Sequence, residues 1–198
     1  MFSLILFGFI LAGALMKLTD DLEDRELLLP EKTDYLTGIA YGAVIGLLMV
    51  FDENAAHLFS GIIIGCLVTN KIDAESHYLA LGTILLIVFS KGLVLSMPLV
   101  LTITVLAAID ELTSNPANTN ALSENPHFVW IYSEYRKALY FPIHLKKILD
   151  YRVVLKIGIV LMVVLEIVHW SAAVYLLSFD ASYIVMSRIL TKFEVAAQ

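Results

Sequence analysis

Apolar residues fall along this chain in long runs separated by short polar breaks. The first run, "MFSLILFGFILAGALMK", ends at Lys17. Five more follow, over Tyr35 to Phe51, Ala55 to Asn70, His77 to Ser90, Leu93 to Ile109 and Val153 to Phe179. Continuous apolar stretches of this kind predict membrane-spanning helices, which need about 20 residues to cross hydrocarbon upright. Several runs are shorter than that, so their polar flanks are expected in the headgroup zone.

No Gly or Pro turn marks a break near Trp170 and Ser171. The last run therefore predicts one long span, followed by a short interfacial helix over 180–198. A break at that point would instead make the C-terminal segment a seventh span and place Asp180 near mid-membrane. Residues 112–127 are polar and rich in Asn and Pro, which predicts a mobile loop. Residues 128–151 interleave Trp and Tyr with Lys and Arg, the pattern of amphipathic helices lying in the headgroup plane. The expected fold class is all-α: a polytopic helical membrane protein of six or seven transmembrane helices with interfacial amphipathic helices, residues 1–198 forming a single integral membrane domain.

Composition agrees with this pattern. The chain is 59% hydrophobic and only 16% charged, with a mean hydropathy of +0.82, against about 45–50% apolar and about 25% charged in soluble domains. The one cysteine, Cys66, lies in an apolar run; it excludes an intramolecular disulfide and reads as a small buried hydrophobe. There is no CxxC, HExxH or phosphate-loop motif, and nothing points to a nucleic acid.

Charge placement sets the expected orientation. The N-terminus lacks a basic n-region and its first cation, Lys17, follows the apolar run, so it reads as a retained span with the N-terminus outside. Alternating sides from there puts Lys17, Arg25, Lys32, Lys71, Arg136, Lys137, Lys146, Lys147, Arg152 and Lys156 inside, ten of the 13 basic residues. A multi-pass protein is thus expected, with its acidic clusters and most basic residues on the cytoplasmic side. A seventh span would bring Arg188 and Lys192 inside as well.

That orientation places "DDLED", "NKIDAESH" and "IDEL", at the ends of the first, third and fifth spans, on one side. Asp20 and Asp24 are one helical turn apart if the first helix continues past Lys17. Oxygen ligands at a partly exposed site suit Mg²⁺, held by one or two carboxylates together with substrate phosphate. Asp20, Asp21, Asp24, Asp73 and Asp110 are the candidate metal ligands, with Asp21 and Asp73 the candidate catalytic residues. Arg25, Arg136 and Lys137 are candidates to hold a diphosphate. The plainer reading is that the acids solvate helix ends, and that Lys71 and Glu75 form a surface pair at i,i+4.

"DDLED" also matches the DDxxD motif with which isoprenyl diphosphate synthases hold Mg²⁺-diphosphate. With Arg25, "DDLEDR" resembles the Asp-rich helix end of UbiA-type membrane prenyltransferases. What the resemblance implies is Mg²⁺ bound by Asp20, Asp21 and Asp24.

Gly38, Gly42 and Gly46 recur every four residues, and Gly61 and Gly65 form a GxxxG. Such spacing predicts close helix approach and offers faces for a homo-oligomer. Glu166 and His169 fall inside the last run, three residues apart, where ionisable groups are costly and mark either polar pairing or a proton or ion path. Three functions follow. The first is a Mg²⁺-dependent enzyme acting on a lipid or prenyl diphosphate at the membrane surface. The second is an ion- or proton-coupled transporter using Glu166 and His169, and the third a non-catalytic scaffold with membrane lipids as partners.

Overall fold

A computed structural model describes residues 1–24, 30, 32–72, 74–114 and 153–197. Among them the chain is all-helical: α1 (Phe2–Glu23), α2 (Thr33–Phe51), α3 (Glu53–Val68), α4 (Glu75–Lys91), α5 (Met97–Ser114), α6 (Val153–Val164) and α7 (Trp170–Ala197). Among the described residues, three stretches are long and apolar enough to cross a membrane: Phe2–Glu23, Thr33–Phe51 and Trp170–Lys192. That is fewer than the six or seven expected, and for α3 and α6 rise per residue gives the reason. At 1.5 Å per residue, the 16 residues of α3 reach about 24 Å and the 12 of α6 about 18 Å, short of roughly 30 Å of hydrocarbon.

The last apolar run is not one span. α6 stops at Val164, and Glu166 takes a left-handed backbone with φ 59°. Ile167 N–H then donates to Met162 O at 2.9 Å and Glu166 N–H to Val163 O at 3.0 Å, the paired bonds of a Schellman ending. His169 starts the next helix, its Nδ1 accepting from Ser171 N–H at 3.3 Å. Residues 180–197 are therefore the second half of α7 and not a separate interfacial helix. The same ending closes α3, with Asn70 at φ 55° and Lys71 N–H donating to Cys66 O. Of the expected loop over 112–127, residues 112–114 complete α5. The remainder, and the expected interfacial segment 128–151, lie outside the described residues.

Alternate helices pack in parallel pairs. Phe2 stacks near Trp170 and Phe9 on Tyr175, so α1 and α7 run the same way, with Phe9 also stacked on Phe59 of α3. α2 lies against α4 through Gly38 and Gly42. A Cβ on these would stand 2.5 Å from Ser76 O and 2.6 Å from Ala80 O. Gly61 and Gly65 seat Ile103 and Ala107 of α5 in the same way. The glycine faces expected to pair copies of the protein are filled within one chain. Ile5, Phe9, Leu58, Ile103 and Ile159 form the buried centre. Because direction alternates, the C-terminal ends of α1, α3 and α5 share one end of the bundle with the N-terminal ends of α2, α4 and α6.

Candidate functional site

α1 does continue past Lys17, for six residues, and this carries the acidic motif onto its last turn. Neighbouring residues on a helix point about 100° apart, so Asp20 and Asp21 face different partners. Asp21 turns inward. It is 3% exposed, and its Oδ1 lies 2.5 Å from Lys17 Nζ one turn back. Asp20 faces α4 and α7, where His77 Nε2 lies 3.1 Å from its Oδ1 and the Tyr183 hydroxyl donates to its Oδ2.

His77 sits on the first turn of α4, with Nδ1 2.5 Å from the hydroxyl of Tyr41 on α2. Lys17 Nζ stands 5.5 Å from the centre of the Tyr183 ring, a cation–π approach. The result is a connected polar cluster running Tyr41, His77, Asp20, Tyr183, with the Lys17–Asp21 pair beside it. Four helices supply it. Glu23, on the same face as Asp20, accepts from Ser76 at the start of α4, and Glu75 accepts from Tyr35 at the start of α2. Asp24, the C-cap of α1, is exposed one turn beyond Asp20, its N–H donating to Asp20 O at 3.0 Å.

The third acidic cluster is used differently. Asp110 is 2% exposed, and its two oxygens accept from Val154 N–H and Leu155 N–H, both at 2.8 Å. It caps the N-terminus of α6 from another helix, satisfying two of the four amides that a helix start leaves open. Glu111 pairs with Lys71 at 3.8 Å. The expected Lys71–Glu75 pair is absent for a local reason: Lys71 precedes α4, and i,i+4 pairing needs both residues on one continuous helix.

These carboxylates, as placed, do not fit a Mg²⁺ centre. Both oxygens of Asp20 meet protein partners, Asp21 neutralises Lys17, and Asp110 holds two amides. Among the described residues no three His, Cys, Asp or Glu come together as a metal-binding group. Asp73, Arg25, Arg136 and Lys137 lie outside the described residues. Glu166 and His169 are exposed in the turn between α6 and α7, at the opposite end of the bundle from Asp20, and not at depth on one helical face. His169 Nδ1 also meets Ser171 Oγ at 2.9 Å. Between α6 and α7, Lys156 Nζ pairs with Asp180 Oδ2 at 2.6 Å, both side chains half-buried.

Sequence reasoning found Asp20 and Asp21 but not what they hold. Lys17 was legible, since it stands four residues before Asp21. Tyr41 and Tyr183 carried no signal, being single tyrosines in apolar runs. Compared with protein-family models, with curated proteins and with solved structures, the chain matches none.

Proposed function

We propose that this chain is a membrane-embedded enzyme acting on the phosphate or diphosphate group of a lipid at one end of its helical bundle, through the Asp20–His77 cluster. The observation that carries the reading is the single carboxylate of Asp20 engaging His77 and Tyr183 at once. Ionisable groups retained in membrane-spanning helices are costly and are kept for function. A carboxylate behind an imidazole fixes its orientation and stabilises its charged form, the arrangement that general acid–base chemistry requires.

Both ring nitrogens of His77 are occupied, so His77 and Asp20 act as positioning residues. The catalytic residue is Tyr183, whose hydroxyl donates to Asp20 and whose proton Asp20 can accept. Asp20 takes the Tyr183 proton as Tyr183 takes one from attacking water, whose oxygen bonds to phosphorus while the leaving oxygen is protonated by solvent; Lys17, 5.5 Å from that ring, stays paired with Asp21. No step is assigned to Mg²⁺. The placement of the cluster favours this over transport: acids at helix ends suit surface chemistry, while Glu166 and His169, on which a transport path would depend, lie in a turn.

The test is turnover of a panel of labelled lipid and polyprenyl phosphates and diphosphates by the purified protein, with and without Mg²⁺. Tyr183→Phe, His77→Gln and Asp20→Asn are measured alongside. The reading expects Tyr183→Phe to lower kcat with KM little changed, and His77→Gln to shift the pH profile of kcat. Absence of turnover by the wild type across the panel would sink it, as would a Tyr183→Phe variant indistinguishable from wild type.

A further inference from the structure

A groove of about 410 Å³ runs along the outside of the α1–α7 pair, lined by Ile10 and Ala14 of α1 and by Ala181, Val185, Met186 and Ile189 of α7. Packing explains why it exists. At Gly13 the helices touch so closely that a Cβ would stand 2.3 Å from Phe179 O. Beside that contact the small side chains of Ala14 and Ala181 leave space between the helices.

The chemistry of the lining is narrow. The two hydroxyls that border the groove are turned to their own helix: Ser178 Oγ donates to Val174 O at 2.6 Å and Ser182 Oγ to Phe179 O at 2.7 Å. What remains is aliphatic. Both walls belong to helices long and apolar enough to cross a membrane, so the medium against this face is hydrocarbon.

The groove also adjoins the cluster. Ser182 precedes Tyr183, and Lys17 stands less than one turn beyond Ala14, with Nζ over the Tyr183 ring. On α7 the lining continues past Tyr183 to Ile189, whereas on α1 an amphiphile whose chain lies against Ile10 and Ala14 meets Lys17 as the next polar side chain.

We infer that the α1–α7 groove seats the hydrocarbon chain of the phosphate-bearing lipid on which the Tyr183 end of the cluster acts. This deepens the enzyme reading above and rests on it for the headgroup. It names the substrate class as a long-chain lipid phosphate rather than a water-soluble phosphate ester.

The experiment uses the full chain in lipid nanodiscs containing a phosphorylated lipid with a diazirine on its chain. Photolabelled residues are mapped by mass spectrometry, and turnover of long- and short-chain phosphates is measured on the same preparations. Ala181→Trp fills the groove. Leu86→Trp, at a 75% exposed position on α4, is the control for adding an indole at an exposed apolar position away from the groove. The inference expects labels on Ile10, Val185 and Met186, reduced about tenfold by Ala181→Trp, the scale on which a filled apolar pocket discriminates, and unchanged by Leu86→Trp. It also expects Ala181→Trp to remove the preference for long chains. Labels spread evenly over the lipid-facing residues, or labels indifferent to Ala181→Trp, would overturn the chain seat whatever the turnover. Labels confined to the groove without turnover of any phosphate would keep the seat and overturn the enzyme reading. Crosslinked dimers through these residues would replace the lipid by a second copy of the chain.

Discussion

Gly42→Ala is the smallest change that should move the site without touching it. A Cβ at Gly42 would lie 2.6 Å from Ala80 O, 2.8 Å from its Cα and 3.0 Å from its carbonyl carbon. All three are backbone atoms of α4, so no side chain can rotate away. To reach ordinary contact at 3.4 Å, α4 must retreat by about 0.8 Å, the gap between those two distances. A gap of that size forfeits a quarter to a half of each affected dispersion contact. Overpacking of this kind costs about 1–3 kcal/mol, offset by about 1 kcal/mol from the better helix propensity of Ala. The net expectation is a loss of about 0–2 kcal/mol, or a fall of up to several degrees in Tm at about 2–4 °C per kcal/mol. The same helix pair carries an internal control. Gly82 of α4 has nothing within 4 Å of a built Cβ, so Gly82→Ala gains the propensity without the clash and should raise Tm by about 2 °C. Thermal unfolding followed by dye labelling of the single thiol, Cys66, reads both variants. Because α2 and α4 carry Tyr41 and His77, Gly42→Ala should also shift the pH profile that His77→Gln shifts. Equal Tm values for the two variants, or a more stable Gly42→Ala, would refute the packing.

Other variants probe single devices. Asp110→Ala leaves two amides at the start of α6 without their acceptor and should cost about 2 kcal/mol or more in thermal unfolding; an unchanged Tm would mean that water replaces the carboxylate. Glu166→Gly relieves a left-handed backbone and should stabilise by about 1 kcal/mol, whereas Glu166→Val should destabilise, both read by Tm. Lys156→Met alone strands the Asp180 carboxylate and should destabilise markedly, while Lys156→Met with Asp180→Leu should recover most of the loss; a double variant as weak as the single one would argue that both charges are needed for more than pairing each other.

Much of the architecture was legible because hydrophobic runs report it directly. The Tyr35 to Phe51 run is α2 from Thr33 to Phe51, and the four-residue glycine spacing marks the α2–α4 and α3–α5 contacts. A break was legible only as the alternative, near Trp170, where α7 starts; its place at Glu166 was not. Schellman endings usually place Gly or Asn at the left-handed position, and a Glu there announces nothing. The functions of the acids were hidden for another reason. Asp110 serves amides 44 and 45 residues later in the chain, and sequence spacing says nothing about contacts made across a bundle. Expecting three acidic clusters at one end was sound as far as helix direction goes, but direction does not say whether a carboxylate meets a metal, a lysine or a helix start.

The parallel pairing of α1 with α7 also sets the order in which the protein comes to life. Asp20 and Tyr183 are 163 residues apart, and ribosomes add about 5–20 residues per second. For roughly 10–30 s after Asp20 is made, the chain holds that carboxylate in an unfinished bundle, with no α7 to meet it. Any activity that depends on Tyr183 begins only when the seventh helix slides in beside the first. Throughout that interval the flank of α1 that α7 covers, from Phe2 and Phe9 to Gly13, stays open.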